Sequence, residues 1–72
     1  MSPARAYWVL LERESASAPW TLEFGAYDRA DVDAEREDRR DHDVRAANLR
    51  VVRLPCAHRQ PAITAWLADL NR

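Results

Sequence analysis

The sequence predicts a small α+β domain of order β-β-α-β-α, with a three-stranded sheet in strand order 2-1-3 and both helices on one face. Three observations carry that prediction. Two short runs rich in aromatic and branched residues, "AYWVLLER" and "WTLEFGAY", flank a loop of small residues. A long charged stretch follows, headed by a residue suited to cap a helix. Near the C-terminus Ile63, Trp66, Leu67 and Leu70 recur at i, i+3, i+4 and i+7, the spacing of an amphipathic helix.

The first strand is expected from about Ala6 to Arg13, and "ESASAP" supplies the loop after it. In the second, Trp20, Leu22 and Phe24 alternate with Thr21 and Glu23, so the three apolar residues are expected on one face of a hairpin. Gly25 is the only glycine and is read as a bulge or an unusual backbone angle. Asp28 then caps a helix running to about Asp43, supported by the i,i+4 pairs Arg29–Asp33, Glu35–Arg39 and Arg39–Asp43. Only Ala30, Val32 and Ala34 offer this helix apolar contact, so it is expected to lie loosely on the sheet, with Arg36, Arg39 and His42 continuing the stripe of Val32.

"NLRVVRLP" reads as the third strand, closed by Pro55, and Pro61 suits the first turn of the second helix. That helix is expected to be the better anchored, with Trp66 a principal core residue. A crossover helix before the third strand suggests a strand parallel to the first and beside it. The first strand is then central, in keeping with its almost continuous apolar run. With both helices on one face, half of that run, the Tyr7 and Val9 set or the Trp8 and Leu10 set, faces outward and forms a candidate surface for a partner or for a homodimer.

The 72 residues make one domain, and one of this size buries only about 60 % of its unfolded surface. Cys56 is the single cysteine, so no disulfide can form within the chain. "MSPARA" and the apolar run Ala6–Leu11 do not resemble a secretory leader, and no run approaches the length of a membrane helix, so a cytoplasmic location in a bacterial cell is expected. Charge is unevenly placed: residues 28–43 carry a net −4 and residues 44–72 a net +4, within a chain of net −1. All eleven basic residues are arginine, which excludes lysine Schiff-base chemistry and a P-loop lysine.

Chemistry is thin along the chain. Asp38 with His42, and Cys56 with His58, are two-residue fragments without the spacing of a zinc site, so no metal or cofactor is expected. Cys56 and His58 also lack a third group to orient a nucleophile, and no enzyme is predicted. Arg45, Arg50, Arg53 and Arg59 provide a modest basic footprint for nucleic acid. On the charged helix the interspersed arginines blunt the negative field, which argues against strict mimicry of DNA and leaves a surface suited to a basic patch on another protein.

The residues Trp8–Val9–Leu10, Trp20, "EFGAYDRADVDAEREDRRDHD" and "AANLRVVRL" resemble a group of small proteins encoded by phages and prophages of Proteobacteria. The shared pattern is similar to E-F-G-x-Y-D-R-x-x-V-x-x-E-x-x-D-x-R-x-H, here Glu23, Phe24, Gly25, Tyr27, Asp28, Arg29, Val32, Glu35, Asp38, Arg40 and His42, and the likeness spans about residues 7–54. It implies a stoichiometric binding protein that engages a host or defence protein, an inhibitor of the anti-CRISPR type being one version. The residues expected to carry binding are Asp33, Glu37, Arg40 and Asp41 on the helix, with Tyr7 and Val9 on the open sheet face. The alternatives are a nucleic-acid-binding accessory protein using Arg45, Arg50, Arg53 and Arg59, and a minor virion or assembly component.

Overall fold

Val9, Leu10 and Leu11 are all fully buried, so successive residues of one strand are covered on both faces of the sheet. In the computed structural model, which describes residues 5–72, that strand is β1 (Trp8–Glu12). It is followed by β2 (Thr21–Ala26), α1 (Arg29–Asp41), a short 3₁₀ turn (Ala46–Asn48), β3 (Leu49–Arg53) and α2 (Gln60–Leu70). Residues 1–4, which form part of the stretch read for a leader, lie outside the described residues. The strand order is β2-β1-β3, and the α+β element order is the one read from the sequence.

Strand direction differs from the expectation. β3 pairs with β1 antiparallel, not parallel. The crossover helix α1 joins β2 to β3, and it is those two strands that run parallel, with β1 inserted between them. A right-handed crossover rule constrains the strands it connects. It says nothing directly about β1, which is antiparallel to β2 and therefore to β3.

The helices lie on opposite faces of the sheet, which corrects the single-face arrangement. On one face Leu10, Leu49 and Val32 of α1 form a core, edged by Trp8, Phe24, Ala26, Val44 and Val51. On the other, Val9, Leu11 and Leu54 pack beneath Ile63, Trp66, Leu67 and Leu70 of α2. The apolar run of β1 already required this. Each leucine or valine taken from water contributes about 1.5–3 kcal/mol, so leaving either set exposed would forfeit a large part of a small core. The face expected to be open is therefore the face that α2 covers.

A β-bulge decides which apolar residues of β2 join which core. Leu10 pairs with Phe24 but Leu11 pairs with Leu22, which leaves Glu23 as the extra residue in β2. Side chains paired across a strand share a face, so Leu22 joins Leu11 under α2 and Phe24 joins Leu10 under α1. The strict alternation that would have placed Trp20, Leu22 and Phe24 together is broken at Glu23. Gly25 serves neither a bulge nor a positive φ. The Tyr7 ring lies across it, and a Cβ at that position would meet the Cε2 atom at 2.6 Å.

Helix α1 begins and ends as the sequence dictates. The Asp28 carboxylate accepts the Ala30 N–H at 3.0 Å. At the C-terminus Asp43 has φ 70°, and the Val44 N–H reaches back to the Arg39 carbonyl at 3.1 Å. This left-handed residue carries Val44 onto the Leu10 core. It also takes Asp43 off the helix, so the expected Arg39–Asp43 pair is absent from the ion pairs of the described residues. Of the three small apolar residues of α1 only Val32 touches the sheet; Ala30 and Ala34 are exposed.

Helix α2 has no residue as deeply buried as Val32 of α1, although more of its side chains are half-buried, so it is not the firmly seated helix expected from its apolar stripe. None of its residues is fully buried, and Trp66 is a half-buried flank of the core. Its bulky side chains pack half-buried against Val9, Leu11 and Leu54, whereas α1 seats a single short valine. A polar clamp holds its far end: the Asn71 side chain accepts the Trp20 N–H at 2.6 Å and donates to the Trp20 carbonyl at 2.9 Å. The amide of Asn71 thus imitates a neighbouring strand at the start of β2. Arg13 ties this same end of the sheet to the turn before β3, with its guanidinium 4.5 Å from the Trp20 ring and bonded to Asn48 Oδ1 and the Ala47 carbonyl.

Candidate functional site

The charged helix is built around one inward-turned arginine. Arg39 lies about two turns beyond Val32 on the sheet-facing side of α1, and only 25 % of its side chain is exposed. Its Nη1 atom is 3.0 Å from Glu12 Oε1 and 3.4 Å from Glu23 Oε1, and its Nε atom is 3.3 Å from Glu35 Oε1. Three elements therefore converge on it: β1 supplies Glu12, β2 supplies Glu23 and α1 supplies Glu35. The bulge is what re-aims Glu23 toward this side, and the Thr21 hydroxyl, 2.9 Å from its other oxygen, steadies it. The hydrogen bond to Glu12 raises the Arg39 pKa, opposed by desolvation and aided by the charge of Glu12 and by Glu35 and Glu23.

The remaining charges of α1 point outward. The residues proposed from the sequence, Asp33, Glu37, Arg40 and Asp41, are all exposed on α1. Asp33 pairs with Arg29 at 3.7 Å, and Glu37 pairs with Arg36 at 3.6 Å and Arg40 at 3.4 Å. Asp31 and Asp41 have no arginine within ion-pair distance among the described residues. Asp38 has only His42, whose Nδ1 donates to the Asp38 carbonyl at 2.7 Å and lies 4.0 Å from its carboxylate. That backbone bond, followed by the charge of Asp38 and Asp41, raises the His42 pKa. Arg39 and Glu35 leave the outward surface together, so its net charge is that of the helix as a whole, with Asp31, Asp38 and Asp41 free of arginine partners among the described residues and Ala30 and Ala34 leaving low ground between the acids.

Tyr7 and Val9 do not belong to this surface. Val9 is fully buried under α2, so it cannot bind a partner in the folded protein. Tyr7 is half-buried, stacked on His58 with ring centroids 3.8 Å apart, on the face of the sheet opposite α1. The composite surface of charged helix plus open sheet face is therefore divided by the sheet itself, and the homodimer through an open face loses the face on which it was based.

The arginines of the basic half stand apart from the acids. Arg45, Arg50, Arg53 and Arg59 are exposed, and none takes part in an ion pair or a side-chain hydrogen bond among the described residues. β3 is an edge strand, so Arg50 and Arg53 flank an open sheet margin, where charge discourages edge-to-edge pairing.

The weaker chemical fragments take structural places. His58 is engaged by tyrosines: the Tyr27 hydroxyl is 3.2 Å from its Nδ1 atom, and no hydrogen bond joins it to Cys56 among the described residues. No group of three or more His, Cys, Asp or Glu side chains is placed to hold a metal ion among the described residues. No described helix is long and apolar enough to cross a membrane. A cavity of about 600 Å³ lies between β2 and α2, lined by Leu22, Ile63, Leu67, Tyr7 and His58 among others.

Sequence reasoning missed the Tyr7–Tyr27–His58 group. Tyr27 and His58 are 31 residues apart, and the only signal was that Tyr7 and Tyr27 sit at the paired ends of the first two strands. Compared with protein-family models, curated proteins and solved structures, the chain matches none.

Proposed function

We propose that this protein is a non-enzymatic binding protein, of phage or prophage origin, that engages a basic surface on a host or defence protein through the outward face of α1. Inhibition of a defence complex in the anti-CRISPR manner is the concrete form of this reading. The observation that carries it is that Asp31, Asp38 and Asp41 have no arginine partner among the described residues and stand beside the exposed Asp33, Glu37 and Arg40. Exposed Ala30 and Ala34 add to it: they contribute nothing to the core, and small residues let another surface approach the helix closely. Charge complementarity of this kind governs encounter rate and partner choice more than it governs raw affinity.

The test is capture of partners from the host by the wild-type protein beside Glu37→Arg/Asp41→Arg. Both positions are exposed, so the variant keeps its core. The variant is expected to lose the captured partner, and the wild-type interaction to weaken steeply with salt. Equal capture by both proteins contradicts the assignment to α1. The nucleic-acid reading is favoured by one observation, the unpaired state of Arg45, Arg50, Arg53 and Arg59. A salt titration with generic DNA and RNA distinguishes it, since four phosphate contacts give a slope of about −3.6 in log affinity against log salt.

A further inference from the structure

The two edges of the sheet differ in how open they are. The Arg13 N–H bonds to the Asn48 carbonyl and the Leu54 N–H to the Tyr7 carbonyl, so Asn48 and Leu54 turn their backbone groups toward β1. Backbone groups alternate in direction along a strand, so Leu49, Val51 and Arg53 turn theirs outward. The Leu49 N–H is spent locally, on the Ala46 carbonyl. The outward groups of Val51 and Arg53 have no partner among the described residues. β3 follows β1 without a bulge from Leu49 to Arg53, so this open row is regular. The β2 edge is blunted by contrast: it carries the bulge at Glu23, and Asn71 already occupies the backbone groups of Trp20.

The charge around the open edge is predominantly positive. Arg50 pairs with Leu11 and shares its face under α2, whereas Arg53 pairs with Trp8 and shares its face under α1. An exposed arginine thus flanks the edge on each side of the sheet, and neither has an ion pair or side-chain hydrogen bond among the described residues. On the α1 side a cleft of about 370 Å³ separates the helix from this edge, with Arg29, Asp33 and Arg36 in one wall and Leu49 and Val51 in the other. Asp33 is the one carboxylate in that wall, and it faces Arg29 at 3.7 Å. A second copy of β3 would bring like charges to the shared edge. An acidic strand turns the same charges into attraction, since a guanidinium can hold a carboxylate through two hydrogen bonds.

We propose that the outer edge of β3 takes an extended acidic peptide of another protein as an added strand. The peptide backbone completes the ladder on Val51 and Arg53. Its Asp or Glu side chains meet Arg53 and the arginine wall of the cleft on one face, and Arg50 on the other. Ladder bonds of this kind hold an extended chain of any sequence, and the flanking side chains select among sequences. The site lies on β3 and not on the outward face of α1. Glu37→Arg/Asp41→Arg should not weaken it, so either assignment can fail without the other.

The test is a titration of the whole protein followed by its backbone amide NMR signals. The probe is a capped hexapeptide alternating glutamate with valine. The controls are its lysine counterpart, a fully N-methylated form of the glutamate peptide, and an oligodeoxythymidylate of equal charge. The glutamate peptide is expected to shift the Val51 and Arg53 amides saturably and to slow their exchange with solvent about tenfold or more. The lysine and N-methylated peptides should bind about tenfold or more weakly, the size of a lost charge-assisted contact or of lost ladder bonds. Arg50→Gln/Arg53→Gln should weaken the glutamate peptide by a similar factor, and unchanged amide signals from β2 and α1 show that the fold is kept. The proposal is overturned if the glutamate peptide leaves both amides unmoved at millimolar concentration, or if the arginine variant binds it like the wild type. It is equally overturned if the N-methylated peptide binds as well as its parent, because charge alone then accounts for binding. Binding of the oligonucleotide as tight as that of the peptide also overturns it, and assigns the arginines to a phosphate backbone.

Discussion

The two faces of the sheet are held by different physics. Under α1 one short valine is fully buried, and around it a three-carboxylate clamp grips Arg39. Under α2 four bulky apolar side chains are all half-buried, and the polar clamp lies at the helix end, on Asn71. The helix richer in apolar residues is thus the less deeply seated. Apolar content sets how much a helix can gain from burial. Side-chain length and the position of polar anchors set how closely it sits.

This contrast can be broken at the cores first. Val32→Ala removes two methyl groups from a fully enclosed site and is expected to cost about 2–3 kcal/mol. Leu67→Ala deletes a larger side chain but from a half-buried site, and should cost less, about 1–2 kcal/mol. Chemical denaturation of both variants checks the order, and a costlier Leu67 change would reverse the comparison.

The corner beneath Tyr7 sharpens it next. Gly25→Ala places a methyl group against the Tyr7 ring and is expected to destabilise by about 1–3 kcal/mol. In a Tyr7→Ala background the same change should cost much less, because the obstruction is gone. A double-mutant cycle measures the coupling; additivity would mean that the ring does not set the need for glycine.

The Arg39 clamp follows in size. Arg39→Met leaves Glu12, Glu23 and Glu35 facing one another without a cation, at an expected cost of about 1–2 kcal/mol for a site a quarter exposed. The loss should shrink as salt is added, since salt screens both the lost attraction and the new repulsion. Denaturation midpoints at low and high salt test this, and a salt-independent loss would assign the effect to packing alone.

The smallest effect is at the end of α1. The folded-state pKa of His42 is raised by Asp38 and Asp41, so its stabilising contribution is fully present below the unfolded value of about 6.5. It is lost as pH rises through the higher folded value. His42→Gln should therefore flatten the pH dependence of stability across that window, measured as the change in denaturation midpoint from mildly acidic to mildly alkaline pH.

Much of this architecture was legible because local signals agreed. Asp28 at the head of α1, Pro61 in the first turn of α2 and the unbroken run of β1 each point to one outcome. The misreadings share a different cause, in that each depended on a partner far along the chain. Glu23 looks like an ordinary outward residue of an alternating strand until the register with Leu10 and Leu11 makes it the bulge. Arg39 looks like one of four interspersed helix arginines until Glu12 and Glu23 arrive from the sheet. The acidic surface residues of α1 could be named from sequence, but their lack of compensation could not. Val9 was misplaced because both helices were assigned to one face, although the apolar residues on either side of β1 already demanded two covers.

Native-state hydrogen exchange compares the two helices in a single experiment. Amides of α2 are expected to exchange through a local opening that leaves the sheet and α1 intact, at least about tenfold faster than those around Val32. Protection of α2 equal to or greater than that of α1 would contradict the account, because the helix seated by one buried valine and an arginine clamp would then not be the firmer of the two.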